Sequence, residues 1–457
     1  MKSVIVTLVM ALICFACGPK KFMPAEKPPM GWNSWDCFGV DVTEAQVKAN
    51  ADYLAEYLKA LGWEYVVVDL AWYLTPEWNT RTFKNERPPQ TVDEFGRLLP
   101  DPIKFPSSKE GLGFKPLADY VHAKGLKFGI HIMRGIPWQA VEQNLPILGT
   151  SHTARDIIAP ADTCVWYDGL VGIDMSHPGG QAYYNSIAQL YAEWGVDYIK
   201  ADDMSHPYRA AEIAGLSQAL TNCGRPMVLS LSPGAAPPEQ LDHLRQNANL
   251  WRISPDFWDD WKFLYRQFEL CKLWEGTARP GAWPDADMLP LGKLRKTGPD
   301  DYIAEHMGLT PEEITDEYSR FTDVEKQTLM TLWCIFRSPM MFGGHLPETD
   351  EFTFSLITNG EALSVNQNSI NNRQIYRHDP AVVWAADVPN SKDKYAALFN
   401  VDDAQARTVS VGWDAVGVSG DCVVRDLWAG TDLGQFPSLF SVELPPHGSG
   451  LYRIRMK

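Results

Sequence analysis

The sequence predicts an α/β fold: a (β/α)8 TIM barrel followed by a C-terminal antiparallel β-sandwich. Three observations predict it. Between residues 40 and 336, helical periodicity alternates repeatedly with short β-branched runs, the pattern of a parallel sheet with helical crossovers. Acidic residues close strand after strand, at Asp69, Asp202, Asp256, Asp285 and Asp287. In a closed barrel all C-terminal strand ends converge on one mouth, whereas an open sheet would spread these acids along a line. After about residue 368 the helical period is gone, and short alternating runs separated by turn residues replace it.

The first segment is a targeting signal. Lys2 supplies one positive charge, and residues 4–16 form an apolar run too short to span a bilayer as a helix. Ala16-Cys17-Gly18 at its end resembles a bacterial lipoprotein signal, in which Cys17 is acylated and becomes the new N-terminus. Plain secretion with cleavage near Ala16 is the alternative. Either reading exports the chain, to the periplasm or the cell surface. No later stretch is long and apolar enough to span a membrane, so membrane contact is expected only through that N-terminal lipid anchor.

The barrel is expected over 26–368. Thr43-Glu44-Ala45-Gln46 reads as a capping box, followed by Val47, Ala51, Leu54, Leu58 and Leu61 at helical spacing, with Gly62 as the stop. Tyr65-Val66-Val67-Val68-Asp69 is a buried parallel strand. The cycle repeats with helix 117–124 and strand 127–133, helix 181–194 and strand 196–202, and helix 210–223 and strand 226–231. Helix 241–247 and strand 250–254 follow, then helices over 261–274 and 324–336. Two connections, 74–113 and 134–172, are long and irregular. Loops of that size are uncommon unless functional, so both are expected over the mouth. The sandwich is expected over 372–457, with strand runs at 381–385, 395–399 and 408–411.

Composition bounds the function. The chain has 457 residues, 45% of them apolar and 21% charged, which excludes a disordered or fibrous protein. Lys plus Arg number 41 and Asp plus Glu 57, so the net charge of −16 disfavours nucleic acid as a partner. Seventeen tryptophans are abundant, and wide aromatic faces suit the apolar faces of sugars, although most must be core. Cysteines beyond Cys14 and Cys17 are widely separated without a CxxC pair, and no HExxH or phosphate-binding glycine loop occurs. Structural zinc is not expected.

The most informative segment is 197–203. With period-2 alternation, Lys200 and Asp202 share one face and Ile199 and Ala201 the other. Ile199 and Ala201 suit the helix side, so Lys200 and Asp202 point into the barrel. An ammonium beside a carboxylate favours its ionised form, which makes Asp202 a nucleophile candidate; a structural ion pair is the alternative. Asp203 reads as a solvated or capping acid. Asp256 follows a strand and is hemmed by Pro255, Phe257 and Trp258. Such surroundings suit a general acid, and a helix N-cap is the competing reading. Asp259 and Asp260 read as ordinary N-terminal helix acids. Two carboxyls in unlike environments are what glycoside hydrolysis requires.

These motifs resemble glycoside hydrolase family 27, the melibiase or α-galactosidase family. The resemblance runs through Pro29-Met30-Gly31-Trp32-Asn33-Ser34-Trp35, Asp69 with Trp72, Lys200 with Asp202, Trp251-Arg252 with Asp256, Asp285-Ala286-Asp287-Met288, and 337–344. It implies a retaining mechanism without metal or cofactor, with Asp202 as nucleophile and Asp256 as acid/base. It further implies Asp69, Lys200, Arg252 and Asp287 as sugar-binding residues and Trp32 as the aromatic lining the pocket. The chain departs from the family at three places. Leu70 stands where α-galactosidases carry a second consecutive acid, His131 where they carry Tyr, and Ser232 with Ala235 replace a Glu near the sugar's second hydroxyl. His131 either takes over the phenol's hydrogen bond to substrate or packs in the core.

The leading expectation is a retaining exo-α-galactosidase acting on oligosaccharides or polysaccharides. β-L-Arabinopyranosidase, α-N-acetylgalactosaminidase and isomalto-dextran hydrolase are the alternatives within the family. A non-catalytic sugar-binding surface lipoprotein is the alternative of another class, disfavoured because both Asp202 and Asp256 are present. An open-sheet serine hydrolase is disfavoured because no GxSxG elbow occurs.

Overall fold

The computed structural model describes residues 24–76, 87–295, 308–310 and 317–457. The export signal predicted at 1–17, with Cys17, lies outside the described residues.

Eight parallel strands form the barrel sheet: β1 (Met30–Asn33), β2 (Tyr65–Val68), β3 (Lys127–Met133), β7 (Tyr198–Asp202), β8 (Val228–Leu231), β9 (Leu250–Arg252), β10 (Trp283–Asp285) and β11 (Met340–Phe342). Their spatial order is β10-β9-β8-β7-β3-β2-β1-β11. Leu289, just past β10, makes a parallel bridge to Phe342 and donates its N–H to the Met341 carbonyl at 2.8 Å, drawing the two ends of the sheet together. The predicted strands fall where expected, within a residue or two at their ends. β1, β10 and β11 are three or four residues long and fully buried, so no alternation marks them as strands in the sequence. The connection predicted as irregular over 134–172 instead holds a small three-stranded antiparallel sheet, whose last strand runs one residue past it. β4 (Ile136–Pro137), β5 (Ile158–Thr163) and β6 (Leu170–Ile173) pair there in the order β4-β6-β5.

Local chemistry explains the elements. Thr43 and Gln46 form the capping box that starts the helix at Glu44, and Gly62 ends that run in the left-handed conformation at φ 97°. Alternation along the strands sorts the core. Val66 and Val68 of β2, with Ile199 and Ala201 of β7, join the cluster shared with the surrounding helices. Tyr65, Val67 and Tyr198 join Val228, Leu250 and Trp283 inside the barrel. That inner cluster plugs the barrel below the mouth. Lys200 and Asp202 continue its face upward, as the period-2 argument requires.

The C-terminal region packs a six-stranded antiparallel sheet against a pair. The larger sheet contains β12 (Ile370–His378), β13 (Ala381–Asp387), β14 (Lys394–Asn400), β16 (Cys422–Asp426), β17 (Thr431–Phe436) and β19 (Ser449–Met456) in the order β12-β13-β14-β19-β16-β17. β15 (Arg407–Gly412) and β18 (Leu439–Leu444) form the pair. Val383 and Leu398 face Val409 and Phe440 in the sandwich interior. Val382, Trp384, Ala397 and Phe399, on the opposite face, belong to the barrel's own cluster. The helix Asp323–Phe336 stands between, and its Gln327 and Thr328 donate to the Ser449 and His447 carbonyls at 3.0 and 2.6 Å. Both faces of β13 and β14 are therefore buried.

Gly31 marks a close approach of β1 to β2. A Cβ there would sit 2.4 Å from the Tyr65 carbonyl oxygen. Gly31→Ala is expected to destabilise the fold by about 1–3 kcal/mol through forced separation of the two strands, read as a lower midpoint in urea denaturation. An unchanged midpoint would show that the strands part freely.

Candidate active site

The C-terminal strand ends open on one cavity. Of the residues predicted from sequence, Asp69, Lys200, Asp202, Ser232, Arg252, Asp256 and Asp287 line it together, joined by Leu70. They come from the ends of β2, β7, β8 and β9 and the segment after β10. Trp35, Trp166, Phe257, Trp258 and Met288 supply the apolar wall. Trp166 belongs to the 134–172 connection, as expected of a loop over the mouth. The 74–113 connection contributes no lining residue among those described, and its residues 77–86 lie outside them.

Lys200 does not pair with Asp202, as the alternation had suggested. Its Nζ lies 2.8 Å from Asp69 Oδ2, two strands away, because the long side chain reaches past β3. Asp69 Oδ2 also accepts from Asn33 Nδ2 at 2.7 Å, and Oδ1 from the Leu70 N–H at 2.8 Å. Burial raises the Asp69 pKa, but the Lys200 ammonium, the His131 ring and these hydrogen bonds outweigh it and hold the carboxyl at about 2. Burial likewise opposes charge on Lys200, and Asp69 reverses that, leaving its pKa above the ordinary value.

Asp202 is fixed at both oxygens. Oδ1 accepts from the Asp203 N–H at 2.5 Å, and Oδ2 lies 2.9 Å from His131 Nε2. His131 pairs in register with Lys200 across β3 and β7, so its ring rises from two residues below Asp202. His131 is 1% exposed and stands behind Asp202, outside the cavity lining, which corrects the expectation that it touches substrate. Trp32 needs the same correction. It is fully buried and donates from its indole to the Gly344 carbonyl at 2.8 Å. Trp35, three residues on in the turn after β1, is the tryptophan of that motif that lines the cavity.

Arg252 organises the opposite wall. Its guanidinium meets Asp287 Oδ2, lies 3.2 Å from Asp256 Oδ1 and reaches Ser232 Oγ at 3.4 Å. Asp287 also accepts from the backbone N–H groups of Phe257 and Met288 at 2.8 and 2.7 Å. Burial, reinforced by the nearby Asp256 and Asp285 carboxyls, pushes the Asp287 pKa up against the pull of Arg252. Asp256 is not an N-cap. That position belongs to Asp260, whose Oδ1 accepts from the Lys262 N–H at 2.9 Å. Asp259 is no ordinary helix acid either: it is buried in a two-pronged pair with Arg295 at 3.1 and 2.9 Å.

Asp203, expected in solvent, is buried in a network that the sequence did not signal. Arg134 grips its carboxylate at 2.7 and 2.9 Å and Glu212 at 2.7 Å, and Tyr184 donates to Glu212 at 2.6 Å. The Arg134 backbone N–H donates to the Asp202 carbonyl at 3.1 Å. Arg134 thus clamps the end of β7 where Asp202 projects. Only a lone arginine directly after a predicted strand hinted at this.

Breaking the Lys200–Asp69 pair strands a buried carboxylate. Lys200→Met is expected to cost about 3–5 kcal/mol near neutral pH. In the wild type, the depressed Asp69 pKa contributes stability fully present above the unfolded value of about 3.9. That contribution is lost as pH falls through about 2. Without Lys200, Asp69 takes up a proton at higher pH, so the deficit shrinks on acidification. Urea titrations at pH 7 and pH 4 measure it, and a deficit independent of pH would contradict the pairing argument.

Comparison with known proteins agrees with this geometry. The family model for alpha-galactosidase A (melibiase) matches residues 27–138 and 163–308, and the model for the alpha-galactosidase C-terminal β-sandwich domain matches 378–454. Alpha-galactosidase of Coffea arabica is 28% identical, over 93% of this chain and 93% of its own length. Alpha-galactosidase of Cyamopsis tetragonoloba is 27% identical, over 93% and 86%. The crystal structure of a family 27 β-L-arabinopyranosidase from Geobacillus stearothermophilus in complex with arabinose superposes with a TM-score of 0.89 at 47% identity, over 95% of this chain and 98% of that one. With barrel, sandwich and carboxyl-lined mouth in agreement, the chain belongs to glycoside hydrolase family 27, the melibiase family, and is a glycoside hydrolase.

Proposed function

We propose that the protein is a retaining exo-glycosidase of the α-galactosidase type, releasing terminal pyranosides of the α-D-galacto ring configuration by double displacement. The observation that carries this reading is a pair of unlike carboxyls on one cavity. Asp202 is held at both oxygens with its side chain 9% exposed, whereas Asp256 is 21% exposed beside Arg252. A nucleophile needs a fixed carboxylate; an acid/base must exchange protons with the leaving group and with water. Asp202 attacks the anomeric carbon while Asp256 protonates the departing oxygen. Water, deprotonated by Asp256, then displaces Asp202 and restores the original anomeric configuration. Asp69, Lys200, Ser232, Arg252 and Asp287 hydrogen-bond the sugar's hydroxyls, with Trp35 against its carbon face. The plug of Tyr65, Tyr198 and Trp283 beneath the mouth supports action on chain ends.

Within that configuration Leu70 favours β-L-arabinopyranosides as the better substrates. β-L-Arabinopyranose has the ring of α-D-galactose without the hydroxymethyl group. Leu70 is 3% exposed on the wall beside Asp69, and its N–H is already taken by that carboxylate. It offers a C6 hydroxyl no partner. The 47% identity to a β-L-arabinopyranosidase supports the same preference. The enzyme is therefore expected to cleave both glycosides, with α-galactosidase activity the weaker. The predicted signal at 1–17 supports a cell-envelope location with Cys17 as lipid anchor, where oligosaccharides and polysaccharides from outside are within reach. Cys17→Ala is expected to shift the enzyme out of the membrane fraction.

Initial rates on matched aryl glycosides test the sugar. The expected order of kcat/KM is β-L-arabinopyranoside, then α-D-galactoside, with N-acetyl-α-galactosaminide and α-D-glucoside far behind. The reverse order of the first two would make Leu70 a neutral change, and no turnover of any would overturn the enzymatic reading. Asp202→Asn is expected to remove activity while leaving the far-UV spectrum intact. Asp256→Asn is expected to lose about 10²–10⁴-fold on poor leaving groups and much less on activated aryl glycosides; equal losses on both would exclude it as acid/base.

A further inference from the structure

Asp36 is the one carboxyl on the cavity wall that the reaction outlined above does not use. It follows Trp35 in the turn after β1 and lines the same cavity as Asp69 and Leu70. Only 4% of the residue is exposed, and its Oδ2 is fully buried with no hydrogen-bond partner among the described residues. A Cβ on Gly343, just past β11, would lie 1.9 Å from Asp36 Oδ2, so Oδ2 packs against Gly343 and contact with a ligand in the cavity falls to Oδ1.

We propose that Asp36 is a specificity-determining contact whose carboxyl hydrogen-bonds a hydroxyl of the terminal sugar on the edge facing Asp69 and Leu70. The charged groups around Asp36 agree with contact to a neutral hydroxyl. Burial pushes its pKa well up, and Asp287, Asp69 and Asp259 add to the rise while Lys200 opposes it. In the protonated form the carboxyl has one donor and one acceptor, the same complement as a sugar hydroxyl. A cation or a second acidic ligand group does not match it. The pocket thereby selects for an equatorial or axial hydroxyl at that edge and against sugars that lack one.

This inference rests on the glycosidase reading, and the test separates the two. Wild type, Asp36→Ala and Asp36→Asn are assayed on the aryl glycoside that the wild type cleaves fastest, and on its 2-, 3- and 4-deoxy analogues. If the wild type cleaves none of the parent glycosides, it is the glycosidase reading that fails. If it does, Asp36→Ala is expected to lose on the order of 10- to 100-fold in kcat/KM on the parent. One deoxy analogue should show no further loss, because the contact it lacks is the one the variant lacks. Asp36→Asn keeps a donor and an acceptor, so its loss on the parent should be smaller. Losses that add for all three analogues would overturn the proposal and make Asp36 a packing residue. Should Asp36→Ala not fold, the same cycle with Asp36→Asn decides: a loss equal on parent and every analogue overturns it, and a loss confined to glycosides carrying one particular hydroxyl upholds it.

Discussion

Charge balance in the barrel mouth is the constraint on which the site depends. Two cations, Lys200 and Arg252, stand among six carboxyl groups: Asp36, Asp69, Asp202, Asp256, Asp285 and Asp287. Little of this is exposed. Removing so many charges from water is costly unless each is paired or protonated. The pairing is specific. Lys200 neutralises Asp69, and Arg252 serves Asp287 and Asp256. Asp36 and Asp285 receive no direct cation among the described contacts, and burial raises both of their pKa values. The result is a pocket in which a carboxyl of lowered pKa, Asp69, lies beside carboxyls whose pKa burial raises.

That arrangement needs a rigid frame, and the frame comes from layers beyond the cavity. His131 and the Asp203 N–H hold Asp202 from behind, and Arg134 holds Asp203. Asn33, the last residue of β1, and Ser34, just after it, hold Asp69 through its carboxylate and its backbone N–H. Fixing the reacting groups before substrate arrives removes a reorganisation cost from the transition state. The motif Gly31-Trp32-Asn33-Ser34-Trp35-Asp36 thus combines several tasks. Gly31 lets β1 approach β2, Trp32 seals the barrel against Gly344, Asn33 and Ser34 orient Asp69, and Trp35 and Asp36 face the cavity.

The sandwich belongs to the same mechanical unit. Its β13 and β14 share one hydrophobic cluster with the barrel, and the Trp261 ring stacks on His447 at 3.6 Å between centroids. The helix that begins at Trp261 follows the loop carrying Asp256, so the sandwich buttresses the wall that bears it.

The sequence by itself determined the barrel, the sandwich and the identity of the principal acids. Periodicities of 3.6 and 2 are local properties, and the acids end strands whose convergence follows from barrel closure alone. Helices such as Pro178–Trp194 and Asp323–Phe336 were legible because long amphipathic runs and caps are dense signals. β1, β10 and β11 were not, since three or four fully buried residues carry no alternation. Tertiary structure alone decided who partners whom. Lys200 sits two residues from Asp202 in the chain but bonds Asp69, because side-chain reach across neighbouring strands is a property of the closed sheet. Trp32 and Trp35 are both tryptophans of one motif, and only the direction of the turn after β1 buries the first and presents the second. Asp203, Asp259 and Asp36 look like surface acids in one dimension. Their burial beside Arg134, Arg295 and Gly343 depends on residues distant in sequence, which no local pattern encodes.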